Sequence, residues 1–138
     1  MAKTNVAAFA QSPKTATAVV TAAATNTGTD TPTGVVTLFT AGPDGAIMTR
    51  LTAIPRASVS ASALLLYLSS SADSYATQRL IDSETMPLQN ITTGAGIGET
   101  TFANYSEARP GRLAPGDRIG VASALSVNVV FKAEYTDF

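Results

Sequence analysis

The chain has 138 residues, with nine lysines and arginines against ten aspartates and glutamates, for a formal net charge of -1. That balance argues against binding nucleic acid through an overall basic charge, and a chain of this length predicts one domain. The sequence contains no cysteine and no histidine, which excludes disulfides, thiolate catalysis and Ser-His-acid triads.

Composition also indicates whether the protein is a monomer or part of an assembly. Charged residues are only 14% of the chain, against about 25% in a typical globular domain, and threonine and serine supply most of the polar surface. Such a weakly charged surface repels its neighbours little, so it favours a subunit of an assembly over a lone soluble monomer. The sequence has no run of 18 apolar residues, so we predict no membrane-spanning helix.

The N-terminal third differs from the rest of the chain. Residues 1–33 are mostly alanine and threonine, and their apolar stretch, residues 6–10, is too short for a signal peptide. We therefore expect a product made in the cytoplasm with its N-terminus retained. Residues 16–24 alternate β-branched residues with alanine, which favours a strand over a helix. We predict an extended arm and a first strand in residues 1–33, and a sandwich domain over residues 34–138.

From residue 34 onward, short apolar strands alternate with turns rich in glycine and proline. Strands are predicted over residues 35–40, 47–54, 59–68, 75–81, 100–105, 118–122 and 127–135. The second of these should place Leu51 on one face with Ile47 and Thr49, and Met48 on the other. The leucine-rich strand 59–68 is apolar on both sides, so we expect both of its faces to be covered.

Residues 83–98 show little periodicity and predict a long loop. Within them, Gly94–Gly98 lacks the spacing and the following helix of a dinucleotide-binding loop. About eight short strands without a good helix predict an all-β protein, an antiparallel β-sandwich of jelly-roll-like type with an extended N-terminal arm.

Few residues are candidates for chemistry. Asp82 and Glu84 are spaced to share one face of a strand, as a pair of glycosidase carboxylates or, with Asp73, as oxygen ligands of calcium would. No spaced Asp-x-Asp loop supports the calcium site, and a solvated strand end explains the pair more simply. We therefore predict no catalytic residue, no metal site, no cofactor and no enzyme activity.

Arginine is the more informative residue type. All six arginines follow residue 49, and Arg109 and Arg112 flank one predicted turn. Because the guanidinium fork binds carboxylates in a bidentate way, this turn suits docking on an acidic patch of a partner. An ordinary solvated turn is the alternative.

Two blocks of sequence carry a resemblance. Residues 36–68 begin with VTLFTAGPDGAIMTRL and end in LLLYL, and residues 113–119 read LAPGDRI before the alternating strand NVVFKAEY. Both blocks resemble small structural virion proteins of tailed bacteriophages, in which a TAG-x-x-G turn precedes an alternating strand and an L-x-x-G-D turn precedes the last one. The similarity covers about 60 residues in two pieces, and the stretch 83–107 and the N-terminal arm contribute nothing to it.

The resemblance implies a head decoration (cement) protein on the outer capsid surface, which clamps adjacent major capsid protein subunits as a homotrimer, with no nucleic-acid or membrane partner. Under this reading the arm, including Asn5 and Phe9, contacts the capsid or a sister subunit, and Arg109 and Arg112 lie at a polar rim. A tail or neck component is the alternative, followed by a carbohydrate-binding adhesin module, for which the chain is poor in aromatic residues.

Overall fold

The structure, a computed structural model, describes residues 12–138. Within that range the chain forms two antiparallel sheets and one short 3-10 helix, η1, so the predicted all-β sandwich is confirmed. The elements are β1 (Ser12–Val20), β2 (Val36–Thr40), β3 (Ala46–Pro55), β4 (Ser62–Ser69), η1 (Ser71–Asp73), β5 (Arg79–Met86), β6 (Thr100–Thr101), β7 (Gly111–Leu113), β8 (Arg118–Ser123) and β9 (Val129–Asp137).

The strands pair in a nested pattern. β1 pairs with β9, β2 with β8, β3 with β7, and β4 with β5. The larger sheet has the order β1-β9-β3-β6, with β7 also on β3, and the smaller sheet has the order β2-β8-β4-β5. This nesting is the topology of a jelly roll. It places β1 and β2 at one side of the sandwich and β5, β6 and β7 at the other, here called the β5–β7 side.

The core lies between the two sheets, and β9 shows how the sequence builds it. Val129, Phe131 and Ala133 are fully buried, and the residues between them are partly exposed, as the alternation in the sequence predicts. Tyr135 follows on the same face and stacks on Phe39 of β2, with 3.9 Å between ring centroids. Burial of each large side chain contributes about 1.5–3 kcal/mol, so the alternation both orients and stabilises the strand.

The predicted faces of β3 are wrong at one end. A bulge between Met48 and Arg50 inserts Thr49 into the strand. An extra residue reverses the alternation beyond it, so Met48 and Leu51 both point into the core, with 1% and 0% exposure. The bulge thereby places Arg50 opposite Glu134 on the outer face of the larger sheet.

Both faces of β4 are covered, as predicted. Leu64 and Leu66 point into the core, while Leu65 and Tyr67 form a second small cluster with Ala122 on the outer face of the smaller sheet. Residues 21–35, here called the cover segment, lie over that cluster.

Hydrogen bonds fix the cover segment in place. Ala24 N–H donates to the Ser123 carbonyl at 2.8 Å, and the Tyr67 hydroxyl donates to the Thr27 carbonyl at 3.4 Å. β1 is likewise paired with β9 along its whole length. The described part of the N-terminal third is therefore joined to the sandwich, and the proposed division of the chain at residue 33 stays a prediction.

The strand predicted over residues 75–81 begins later and ends later. Ser74 and Tyr75 have φ of 56° and 61°, a left-handed conformation that interrupts extended chain. The Tyr75 hydroxyl donates to the Gly116 carbonyl at 2.8 Å and its ring lies under the Arg118 guanidinium, 3.6 Å from the centroid. These contacts hold the turn, and β5 starts only at Arg79.

The long loop predicted over residues 83–98 is shorter than expected. β5 extends to the fully buried Met86. Most residues of this strand are polar, which suits a strand at the edge of a sheet. The same polar residues hide the apolar alternation by which a strand is predicted. Residues 87–99 form the connection. Within it the Gln89 side chain donates to the Gly98 carbonyl at 2.9 Å and accepts from its N–H at 3.0 Å, which closes the glycine-rich part into a loop.

Candidate interaction surface

Two of the four predicted contact residues are placed by the structure. Asn5 and Phe9 lie outside the described residues. Arg109 and Arg112 are both exposed, and they belong to the same short segment on the β5–β7 side. Arg112 belongs to β7 and lies opposite Ile47 of β3.

The segment that carries the two arginines is closely held. Ser106 and Arg109 exchange backbone hydrogen bonds at 3.3 and 3.1 Å, and the Ser106 hydroxyl accepts a further bond from Arg109 N–H at 3.1 Å. Gly111 then packs against the Tyr105 ring, where an added Cβ would lie 2.8 Å from Cε1. A side chain at residue 111 would therefore have to displace the Tyr105 ring.

Neither guanidinium has a carboxylate partner within residues 12–138. The ion pairs in that range join Lys14 to Asp137, Arg50 to Glu99 and Arg79 to Asp30, at 2.6, 2.8 and 3.0 Å. The first of these raises the pKa of Lys14, chiefly through the hydrogen bond to Asp137. The two arginines are thus free for carboxylates of another molecule, which a guanidinium fork binds in a bidentate way.

Beside these arginines lies a feature that sequence reasoning missed. A pocket of about 130 Å³ opens between the two sheets on the β5–β7 side, and is here called the apolar notch. Its lining comes from both sheets and from the turn before β7: Met48, Leu68, Ile81, Tyr105, Gly111, Arg112, Leu113 and Ile119.

One apolar side chain in the wall of the notch faces solvent: Ile81 is 44% exposed. The next residue, Leu80, is 48% exposed and pairs with Tyr67 of β4. Five strands and a turn contribute one or a few residues each to the notch, so no local motif in the sequence could reveal it. The one available signal was the pair of adjacent large apolar residues, Leu80 and Ile81, within an otherwise polar edge strand.

Asp82 and Glu84 serve local structure. Asp82 Oδ1 accepts from Asn104 Nδ2 at 3.2 Å, and Glu84 Oε2 accepts from Ala103 N–H at 3.4 Å, which fastens β5 to the residues after β6. Asp73 is held in its own turn by Thr77, whose hydroxyl donates at 2.6 Å and lowers the pKa of that carboxyl. Within the described residues no three such side chains form a metal-binding group, so the calcium reading gains no support.

Tyr105 connects this carboxylate region to the notch. Its ring lines the notch and packs on Gly111. Burial raises the pKa of the Tyr105 phenol, and the negative charge of Asp82 raises it further. The wall of the notch therefore carries a neutral phenol at physiological pH, flanked by acidic β5 on one side and basic Arg112 on the other.

A second, more polar depression runs over the outer face of the larger sheet. It has a volume of about 350 Å³ and is lined by residues of β1, β3 and β9, with Glu107 from the turn before β7. Three of its lining residues are threonines, and Lys14 and Glu134 add charged groups. Hydrogen-bonding groups prevail there, and no exposed large apolar side chain such as Ile81 of the notch lines it.

No helix within residues 12–138 has the length and apolar character needed to cross a membrane. Comparison with protein-family models, with curated protein sequences and with solved structures found no match for this chain.

Proposed function

We propose that this chain is a structural virion protein of the capsid decoration (cement) type, which binds the outer surface of a bacteriophage head and stabilises adjacent major capsid protein subunits. In this proposal it acts by contact and not by catalysis, needs no cofactor, and engages the capsid as a homotrimer. The resemblance of residues 36–68 and 113–135 to such proteins is the reason for choosing this class.

The observation that carries the proposal is the composition of the β5–β7 side. There Arg112 lines the apolar notch and Arg109 lies three residues before it, and neither has a carboxylate partner in the described part of the chain. Apolar centres with arginine nearby are typical of the energetically important parts of protein interfaces. Backbone hydrogen bonds between Ser106 and Arg109 lower the cost of ordering this turn upon binding.

The fold is compatible with this role but does not distinguish it from other functions. Jelly rolls occur in viral capsid proteins and in lectins among others, and a fold by itself does not define function. A closed trimer engages several capsid sites at once, and avidity then exceeds single-site affinity by about 10²–10⁴-fold, so each copy needs only a modest interface.

The test is a binding assay with phage heads that lack this protein. We expect saturable binding of the purified chain and a raised melting temperature of the heads, because a ligand that binds only the assembled state stabilises it. The variant R109E/R112E should lose both effects. R56E/K132E, which makes the same change of charge at Arg56 before β4 and at Lys132 on the larger sheet, should keep them.

Other outcomes discriminate between functions. Binding to tails and not to heads would overturn the head assignment in favour of a tail or neck component. Binding to soluble glycans without any virion component would favour an adhesin. Equal loss of head binding in the two charge-reversed variants would show that net charge, and not the β5–β7 side, is responsible.

A further inference from the structure

We propose that β1 is an assembly edge, at which two copies of this chain join by antiparallel pairing of β1 with β1 across a two-fold axis through Thr17. This contact goes beyond the proposed function, because it lies on the side of the sandwich opposite to the β5–β7 side. It joins copies that belong to neighbouring trimers and leaves the surface proposed for capsid binding uncovered.

Most strand edges of the sandwich are protected against pairing with another chain. β2 has five residues and a bulge, β6 has two residues and β7 has three. β5 has a bulge and the acidic residues Asp82 and Glu84, and Asp82 Oδ1 accepts from Ser83 N–H at 2.8 Å, so that this backbone donor is already used. Short length, bulges and charges are the usual means of keeping an edge from pairing.

β1 lacks these protections beyond its second residue. It is nine residues long, pairs with β9 without a bulge, and pairs with no other strand within residues 12–138. Its single charged residue, Lys14, is bound to Asp137, and the residues after it are alanine, threonine and valine. A long and nearly neutral edge of this kind is a template for an added strand.

Hydrogen bonds on the far side of β9 show which groups of β1 are free. Arg56 N–H donates to the Asn128 carbonyl at 2.8 Å, and Phe138 N–H donates to the Gly45 carbonyl at 3.1 Å. The even-numbered residues along β9 therefore bond toward β3. Because the direction of these bonds alternates along an antiparallel strand, the odd-numbered residues of β9 bond toward β1.

The partners of those odd-numbered residues are the even-numbered residues of β1. The backbone groups that point away from β9 thus belong to Pro13, Thr15, Thr17 and Val19. Proline has no N–H, so the free edge offers carbonyls at all four residues but donors only at Thr15, Thr17 and Val19.

Pro13 selects the register of self-pairing. With Thr17 on the two-fold axis, Thr17 is opposed to its own copy and Thr15 to Val19 of the other copy, and each opposed pair can exchange two backbone hydrogen bonds. A centre one residue earlier would oppose Val19 to Pro13 and lose its donor. A centre one residue later would oppose Thr15 to a residue beyond the end of β1.

The side chains of β1 suit a second copy on both faces. On the outer face this register opposes Thr17 to Thr17 and Thr15 to Val19, and such hydroxyl and β-branched pairs stabilise sheets. On the core-facing side it opposes Ala16 to Ala18, which are both partly exposed at the margin of the core. Opposed residues of this second kind approach most closely, and alanine is small enough to fit. The edge is therefore complementary to itself, as a two-fold interface requires.

A disulfide specific for this register tests the contact, because the chain has no cysteine. Full-length A16C and A18C are prepared separately and then mixed under mild oxidation. The mixture should give a covalent dimer on a denaturing gel, since the two positions are opposed at a distance that a disulfide spans. Each variant alone should give much less, because its thiols then lie diagonally across the axis. Equal yields from the mixture and from either variant alone, or no dimer in the mixture, would overturn the proposal.

Proline at position 17 tests the backbone bonds. Thr17 N–H points away from β9, so T17P removes hydrogen bonds of the two-fold contact and none of those to β9. T17A keeps the N–H and is the matched control. In sedimentation equilibrium of the full-length chains, T17P should have half the mass of T17A and of the unchanged protein. Equal masses of T17P and T17A would refute the pairing. So would a dimer that forms only after removal of residues 1–11, because the chain's own first residues would then occupy the edge.

Neither experiment contains phage heads, so the two proposals fail separately. R109E/R112E should keep the association through β1, and T17P should keep binding to heads. Loss of self-association in R109E/R112E would place the contact between copies on the β5–β7 side and reject β1 as the assembly edge.

Discussion

Gly111 lies close against the Tyr105 ring, directly after the arginine-bearing turn. A Cβ at residue 111 would lie 2.8 Å from the Tyr105 ring and 3.8 Å from the Met48 methyl, so any side chain there must displace a wall of the notch. Gly111 and its neighbour Arg112 both line the notch, so a substitution at 111 acts beside the charged part of the surface.

We expect G111A to lower the free energy of unfolding by about 1–3 kcal/mol, the usual cost of overpacking a well-filled site. Urea unfolding measures it. G28A is the matched control, because nothing lies within 4 Å of a Cβ added at Gly28, and it should change stability little. In the double variant Y105A/G111A the ring is gone, so the glycine substitution should cost clearly less; an unchanged cost would contradict the contact.

The Tyr105 phenol makes stability depend on alkaline pH. Its pKa is raised above the ordinary value of about 10, by burial first and by Asp82 second. The folded state thus holds this proton more tightly than the unfolded state. The resulting stability is complete below pH about 10 and is lost as pH rises through the raised pKa.

Urea unfolding at a series of alkaline pH values checks the sign. Y105F should lose stability less steeply with rising pH than the unchanged protein. A residual slope should remain, because the pKa values of Tyr67 and Lys14 are also raised. If the two proteins show the same pH dependence, Tyr105 does not ionise at a higher pH in the folded state.

Single residues were the least predictable level of the candidate surface. Exposure of Arg109 and Arg112 follows from a turn signal around Pro110, which is local chemistry. The notch does not follow from any local signal, since Met48 reaches it only because of the bulge at Thr49. A pattern that counts alternate residues places Met48 on the opposite face.

The cover segment is the element whose packing most changes the burial of other residues. It lies over the outer face of the smaller sheet, and its Val35 packs so closely on β8 that a Cβ at Gly120 would lie 2.6 Å from the valine methyl. Without this segment, Leu65 would be an ordinary surface leucine. With it, Leu65 is only 8% exposed.

L65A therefore distinguishes a covered face from an open one. We expect a loss of about 2–3 kcal/mol in the free energy of unfolding, in the range for leucine truncation in a packed site. L80A is the control, because Leu80 of β5 is 48% exposed, and it should cost less than about 1 kcal/mol. Equal and small effects of the two substitutions would mean that the cover segment does not pack on the sheet.

Strands were predicted correctly where one of their faces is buried, and the prediction failed where a turn or bulge interrupts the extended chain. β9 alternates without interruption, and its pattern was sufficient. β5 was displaced because the chain turns through the left-handed backbone of Ser74 and Tyr75 at the end of η1. Contacts of the Tyr75 side chain with Gly116 and Arg118, about 40 residues further along the chain, add to the local hydrogen bonds of this turn. Short-range sequence patterns contain no information on those distant contacts.

The whole molecule is organised by its nested pairing. The separation in sequence between paired strands grows from β4 with β5 to β1 with β9. The entropy cost of closing long loops must be met before non-local contacts can stabilise the chain. We therefore expect folding in milliseconds to seconds, slower than for a helical protein of this length. Stopped-flow refolding measures this rate. Folding within microseconds would contradict a transition state that depends on distant strands.

Pairing of β1 with β9 also has a consequence during protein synthesis. While the ribosome is still making β9, the central strands have emerged but β1 has no hydrogen-bonding partner, and the larger sheet cannot be completed. The nascent chain must therefore keep an alanine- and threonine-rich strand unpaired until residues 129–137 leave the exit tunnel. The low charge of that strand makes the wait a period when nascent chains on one message are at risk of pairing with each other.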